Sequence, residues 1–342
     1  MKRITTLFLV IFCTLINLTS RAEVITADIA KETADNFLSL DKEWHCATEA
    51  DVQLVEKEGI PAYYIVQYSA GGWAIVSAQS SSMPIIGYNT TGEFATHATL
   101  SELLDFNAHI IVARAKDASI AEHKGWKQIR QRKAMAQHNN TPDVAPLITV
   151  NLNQSLPFNI YCPTTDGFSS AAGCVAVGMA QAMMVQSYPP RPYGSNSYIS
   201  SGTGINSIDY DAEPAYDWEA MRNFEQTGNY NEIARFLYHI GVAVNMEYGL
   251  TGSGADTQKI AGALTKHFGY SNKTIYYTAK CPDSDEWLEL ILNELVHGRA
   301  VIYSGASEKM GHCWNIDGWN QSTQMVHCNW GWSVTDTSAW II

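Results

Sequence analysis

Apolar positions change their period twice along the chain. Ala27, Ile29, Ala30, Ala34, Phe37 and Leu38 recur at close to helical spacing, and β-branched and aromatic runs then fill residues 62–68 and 73–77. Ser69-Ala70-Gly71-Gly72 separates those two runs as a turn. Short strands follow at 85–88 and 92–94, and a helix over 100–115 carries Leu103, Leu104, Ile110 and Ile111. A small α+β unit over residues 23–140 is the reading. In the second half, Ile233, Phe236, Leu237, Ile240 and Val244 line one helix face. Ile260, Leu264 and Phe268 line another, and Trp287, Leu288, Ile291, Leu292 and Leu295 a third. Strands are predicted at 300–304, 313–316 and 325–329, the last two pairing through a turn at 318–322. Helices first and an antiparallel sheet afterwards predict an α+β domain over 147–342 rather than a doubly wound one.

Between the two units, residues 124–146 turn basic and polar, running through Lys-Gln-Ile-Arg-Gln-Arg-Lys to His138-Asn139-Asn140-Thr141-Pro142-Asp143. Such a stretch resists burial and is where proteases cut. Composition fits an exposed helix end and an ordinary connection equally well. The total of 342 residues agrees with two domains.

Charge and the opening residues narrow the setting. A net charge of −12 argues against nucleic acid or an anionic membrane as partner. Met1-Lys2-Arg3 followed by a mostly apolar stretch over 6–18 reads as a secretory signal peptide cleaved after Ala22, which makes the protein secreted or cell-surface. The apolar stretch falls short of the ~20 residues that span a bilayer, so an uncleaved anchor is the weaker alternative. Seven cysteines, at 13, 46, 162, 174, 281, 313 and 328, form no C-x-x-C pair. Removing the signal and cutting again before Cys162 leaves five, so at least one thiol is unpaired within a monomer.

Cys174 is the lead. Small residues over 169–173 end at it and a helix begins, with Val175, Met179, Ala182 and Met183 facing inward and Tyr188-Pro189-Pro190 ending it. A helix N-terminus favours thiolate over thiol, which would make Cys174 a usable nucleophile. Gly173 would let a substrate carbonyl approach the backbone. A buried structural cysteine is the competing reading.

A nucleophilic thiol needs a base. Of ten histidines, His45, His97, His109, His123, His239, His267 and His297 have contexts that surface or capping roles explain. His312 stands where a loop ends at Gly311 and an alternating strand begins, so it can project into a cleft. Asn329, on the neighbouring strand, would orient the imidazole, and the indole of Trp330 would shield that bond from water. The repeated His-Cys dipeptides at 312–313 and 327–328 raise a metal reading, but each offers one ligand per sheet face and nothing completes a zinc set. No metal or cofactor is expected.

Gly173-Cys174-Val175-Ala176 with Ala180-Gln181, Gly311-His312 with Ile316-Asp317-Gly318, and Asn329-Trp330-Gly331-Trp332 together resemble the streptopain-like cysteine peptidases of bacteria. The resemblance covers nearly the whole chain. It implies a papain-like catalytic domain, acting on proteins or peptides, preceded by an inhibitory propeptide that Gly72–Ser77 and Ile86-Gly87-Tyr88 resemble. Residues 124–146 then become a maturation site, and Gln154 matches the oxyanion glutamine. The function implied is a secreted cysteine endopeptidase made as a zymogen. An inert secreted binding protein on the same fold, or another thiol acyl-transfer enzyme such as a transglutaminase or amidase, are the alternatives. Two places depart from the pattern. Gly178 stands where alanine is more usual, which should loosen the helix modestly. Beyond Trp332 the family continues with glycines and further strand, whereas here Ser333-Val334 leads to Ile342, an ending that would leave the catalytic sheet a strand short.

Overall fold

The computed structural model describes residues 22–45, 47–133, 140–277, 284–332 and 338–341, so the expected signal segment, apart from Ala22, lies outside the described residues. The first block folds as helix α1 (Ala27–Leu38), strands β1 (Ala50–Lys57), β2 (Ile60–Tyr68), β3 (Trp73–Ser77) and β4 (Ile85–Asn89), then helices α2 (Ala98–Lys116) and α3 (Lys124–Arg130). The second opens with the hairpin β5 (Thr164–Thr165) and β6 (Phe168–Ser169), helix α4 (Cys174–Gln186) and the hairpin β7 (Ser195–Ser200) and β8 (Gly204–Asp209). Helices α5 (Trp218–Arg222), α6 (Phe224–Thr227), α7 (Asn231–Ala243), α8 (Lys259–His267) and α9 (Ser284–Val296) follow. Strands β9 (Val301–Ala306), β10 (Gly311–Asn320), β11 (Met325–Asn329) and β12 (Ala339–Ile341) end the described chain. The fold is α+β, with the antiparallel strands late in the second block as the pattern requires. Among the described residues, no helix is long and apolar enough to cross a membrane.

The two blocks share one sheet. Eight antiparallel strands run in the order β1-β2-β3-β4-β12-β11-β10-β9, and the seam is β4 against β12, with Tyr88 opposite Trp340 and Gly87 opposite Ile341. Glycine at 87 lets the seam close tightly, because a Cβ there would lie 2.6 Å from Ile341 Cδ1 and 3.1 Å from Trp340 O. β12 supplies the strand that the unusual ending at 333–342 was expected to lack.

Alternation along the strands divides the side chains between two layers. Tyr64 and Val66 of β2, with Ala74 and Val76 of β3, pack under α1 and against Trp126 and Ile129 of α3. Trp73 and Ile75 face the other side, where Leu104 and Ile111 of α2 share a core with Ile291 and Leu295 of α9 and with Ile316, Trp330 and Ile341. A third core surrounds α4, which is buried on nearly every side between α7 and strands β10 and β9, rather than along the single face that its apolar spacing suggested.

The connecting stretch is more ordered than its composition suggested. Residues 124–130 form α3, whose Trp126 is fully buried and donates its indole N–H to Ser82 O at 2.9 Å. From Thr141 onward the chain lies along β10. Trp319 Nε1 donates to Thr141 O at 3.1 Å, Val144 and Trp319 exchange backbone bonds of 2.8 Å, and Leu147 N donates to Asp317 O at 2.9 Å. Ile148 N donates to the Asp317 carboxylate at 2.9 Å, and that carboxylate also takes His327 Nδ1 at 2.6 Å. The two His-Cys dipeptides therefore do different things: His327 braces the sheet through Asp317, and His312 faces the site.

Candidate active site

Cys174 is the first residue of α4, and Gly173 is its N-cap with φ +89°. A Cβ at 173 would sit 2.6 Å from Met246 Cε and 3.1 Å from Ser253 O, so glycine is required by backbone conformation and by packing before any substrate arrives. The loop leading in is pinned from both sides: Ala172 N donates to Gln154 O at 2.8 Å and Ala171 N to Gly249 O at 3.0 Å. Gln154 thus stands half-buried beside the nucleophile's loop, held by its backbone.

Burial raises the Cys174 thiol above its ordinary pKa, and the backbone N–H groups of Cys313, Val175 and Cys174 itself pull the other way. A helix N-terminus alone predicts a lowered value. Desolvation is the larger effect and outweighs those donors.

His312 is the candidate base. It is buried, its Nε2 lies 2.8 Å from Trp330 O, and its ring stacks on Trp332 with centroids 4.8 Å apart and planes 16° from parallel. Trp314 lies on the same ring at 6.1 Å and 12°. Burial lowers the imidazole to about 4, only partly offset by the Trp330 carbonyl, so His312 is neutral at neutral pH. The chain thus brings Cys174 and His312 to the same end of α4 and β10, with His312 Nε2 held on a carbonyl.

Asn329 and Trp330 lie next to His312 in the fold, with bonds other than those expected. Asn329 Oδ1 accepts Gln181 Nε2 at 2.9 Å and Gly331 N at 3.2 Å, and its Nδ2 donates to Asn151 Oδ1 at 2.9 Å. Its amide is therefore engaged at both ends, and in this structure the backbone carbonyl of Trp330, not the Asn329 side chain, holds the imidazole. The Trp330 indole lies against Trp314 at 5.5 Å and against His97 at 5.4 Å.

His97 is the residue that sequence reasoning passed over. It does cap a helix, its Nδ1 accepting from Leu100 N at 3.3 Å at the head of α2. It also reaches the site: its ring lies 6.3 Å from Trp332, its Nε2 is buried without a partner among the described residues, and burial, reinforced by His312, lowers it to about 4. Beside it Trp332 Nε1 donates to Thr99 Oγ1 at 2.9 Å, and Lys309, in the loop before His312, pairs with Glu102 at 3.3 Å. The first turns of α2 thus press on the aromatic cluster that traps His312. A capping histidine reads as bland in sequence because nothing local says that its other nitrogen faces residues more than 200 positions away.

Gly178, the other departure, is explained by α4 packing on β10: a Cβ there would lie 3.3 Å from Cys313 Sγ. The missing methyl lets the helix approach the strand.

A family model described as the Peptidase C10 family matches residues 152–338, more than half of the chain. The chain belongs to the Peptidase C10 family. A second model, described as Spi protease inhibitor, matches residues 22–110, which contain α1, the first four strands and most of α2. Streptopain from Streptococcus pyogenes is 25% identical over 292 residues, covering 79% of this chain and 71% of streptopain. The thiol protease/hemagglutinin PrtT of Porphyromonas gingivalis is 25% identical over 333 residues, of which it uses 38% of its own length. Among solved structures, a prointerpain A fragment from Prevotella intermedia superposes with TM-score 0.71 and 25% identity over 86% of this chain and 92% of that one. Active interpain A matches 60% of this chain at TM-score 0.54 and 29% identity. This C10 peptidase is accordingly a cysteine protease synthesised as a zymogen, with an inhibitor-like propeptide domain at its N-terminal end.

Proposed function

We propose that the chain is the exported precursor of an endopeptidase, with Cys174 as nucleophile and His312 as its base once the first block has left. The observation that supports this most is the paired placement: a half-buried thiol at the head of a central helix, and an imidazole on the strand that this helix packs against, held on Trp330 O within an aromatic cluster that the N-terminal block buttresses. After release, His312 takes the thiol proton. The thiolate then attacks the scissile carbonyl, and the oxyanion forms beside the Cys174 N–H and the Gln154 side chain. His312 passes the proton to the leaving amine, and water activated by the same imidazole hydrolyses the thioester. Extended polypeptide is the substrate class. The signal segment would route the precursor out of the cell.

The maturation cut is proposed within residues 131–140. Cleavage there spares α3 on one side, and on the other every bond that ties residues from Thr141 onward to β10. Incubating purified precursor with and without a thiol-directed inhibitor, then sequencing new N-termini, tests this. Termini in that window that vanish with inhibitor are expected. Termini beyond residue 148, or conversion indifferent to inhibitor, would overturn it.

The grip of α2 on the aromatic cluster is proposed as the lock. A His97→Ala change removes a helix cap worth about 1 kcal/mol and the ring against Trp330, so this precursor should convert several-fold faster than wild type. Acid should loosen the same lock. Both His97 and His312 are lowered from 6.5 to about 4, so both are neutral in the closed form and take up protons on opening. Their contribution is present above pH 6.5 and is lost as pH falls toward 4. In a Cys174→Ala precursor, which cannot process itself, the urea midpoint should drop across that range, and drop less when His97→Ala is added. Equal drops would remove His97 from the lock.

A further inference from the structure

About two turns along α4 from the nucleophile, Gln181 is 1% exposed and its carboxamide is engaged at both ends. Nε2 donates to Asn329 Oδ1 at 2.9 Å and, at longer range, to Val150 O at 3.3 Å. Oε1 accepts from Asn315 Nδ2 at 3.2 Å. Asn315 lies on β10, the strand of His312, and its Nδ2 also donates to Gly178 O at 3.1 Å. Asn329 ends β11 immediately before Trp330, whose carbonyl holds His312. One buried side chain on the cysteine's helix therefore holds both strands that frame the histidine.

We propose that Gln181 is a positioning residue for the Cys174–His312 pair, its carboxamide fixing where the nucleophile's helix stands relative to β10 and to the turn at 329–331. The arrangement needs a donor at one end and an acceptor at the other. With the donor gone, Asn329 keeps Gly331 N and Asn151 but loses its tie to α4, and with the acceptor gone Asn315 is held only to Gly178 O. The turn also lies close on the helix, since a Cβ at Gly331 would sit 2.7 Å from Val177 Cγ1. A shift of about 1 Å between the two reacting groups costs up to ~10²-fold in rate, so a side chain that sets this spacing acts on turnover more than on substrate binding.

The inference rests on the assignment of Cys174 and His312, and the test keeps the two separable. Precursors carrying Gln181→Met or Gln181→Glu are processed by tagged wild-type enzyme, which is then removed, and active sites are counted with a stoichiometric thiol inhibitor. Gln181→Met fills similar space without the polar ends, and its kcat per titrated site should fall ~10- to 10²-fold with KM nearly unchanged. Gln181→Glu can donate to Asn329 only when protonated, so its kcat should climb relative to wild type as pH is lowered, a dependence that a purely structural role would not create. Fewer active sites with wild-type kcat per site in Gln181→Met would overturn the proposal. So would a wild-type pH profile in Gln181→Glu, which decides the matter alone if the methionine variant does not fold. Cys174→Ala is run in parallel: activity surviving there sinks the nucleophile assignment itself, whereas wild-type kcat in both Gln181 variants sinks only the positioning role.

Discussion

Replacing Cys174 with Ala is expected to yield a precursor that folds, stays full length on incubation, and shows activity reduced by ~10⁴-fold or more after processing in trans. The side chain is half-buried and small, its sulfur takes backbone N–H groups, and it packs at the edge of the core around α4, so its loss leaves a modest gap and breaks no side-chain network among the described residues. Structure therefore survives while chemistry does not. A normal melting temperature with no self-processing, read by denaturing gel and calorimetry, is the signature. Self-processing by the purified variant would remove the nucleophile.

His312→Ala should cost ~10³-fold or more in kcat/KM of the mature enzyme, measured with a fluorogenic peptide. A second effect should accompany it. Without an imidazolium nearby, the thiol keeps the raised pKa that burial imposes, so alkylation of Cys174 should shift to higher pH. The aromatic sandwich of Trp332 and Trp314 would lose its middle ring, and some stability with it. Loss of activity with an unshifted alkylation profile would show that His312 shapes the site without serving as base.

Much of this was legible in the sequence because the relevant signals are local. Small residues ending at Cys174 announced the head of α4, and β10 and β11 announced themselves by alternation. The β7–β8 hairpin was missed because its residues are largely exposed and polar, leaving little apolar period to see, and β1 was missed although Ala50, Val52 and Leu54 alternate with Asp51 and Gln53. Helix α3 was hidden because a basic surface disguises its few buried residues, Gly125, Trp126 and Ile129. What the sequence could not show is which way His312 faces. That depends on a sheet continued across two blocks and on His97 and Thr99 meeting Trp330 and Trp332, contacts with no local signature. The roles of Asn329 and Gln181 are likewise non-local, since either amide acquires meaning only through the partners that the fold brings to it.

The central proposal is that the first block keeps His312 from serving as the base of Cys174 until that block is removed. The pH dependence of Cys174 alkylation, followed by mass spectrometry in the precursor and in the mature enzyme, tests it directly. In the precursor, labelling should be slow and rise only at alkaline pH, in line with the raised thiol. After maturation the same cysteine should label fastest of all, at a pH well below that of an ordinary thiol at ~8.5. Identical profiles before and after maturation, or preferential labelling at another cysteine, would contradict the claim.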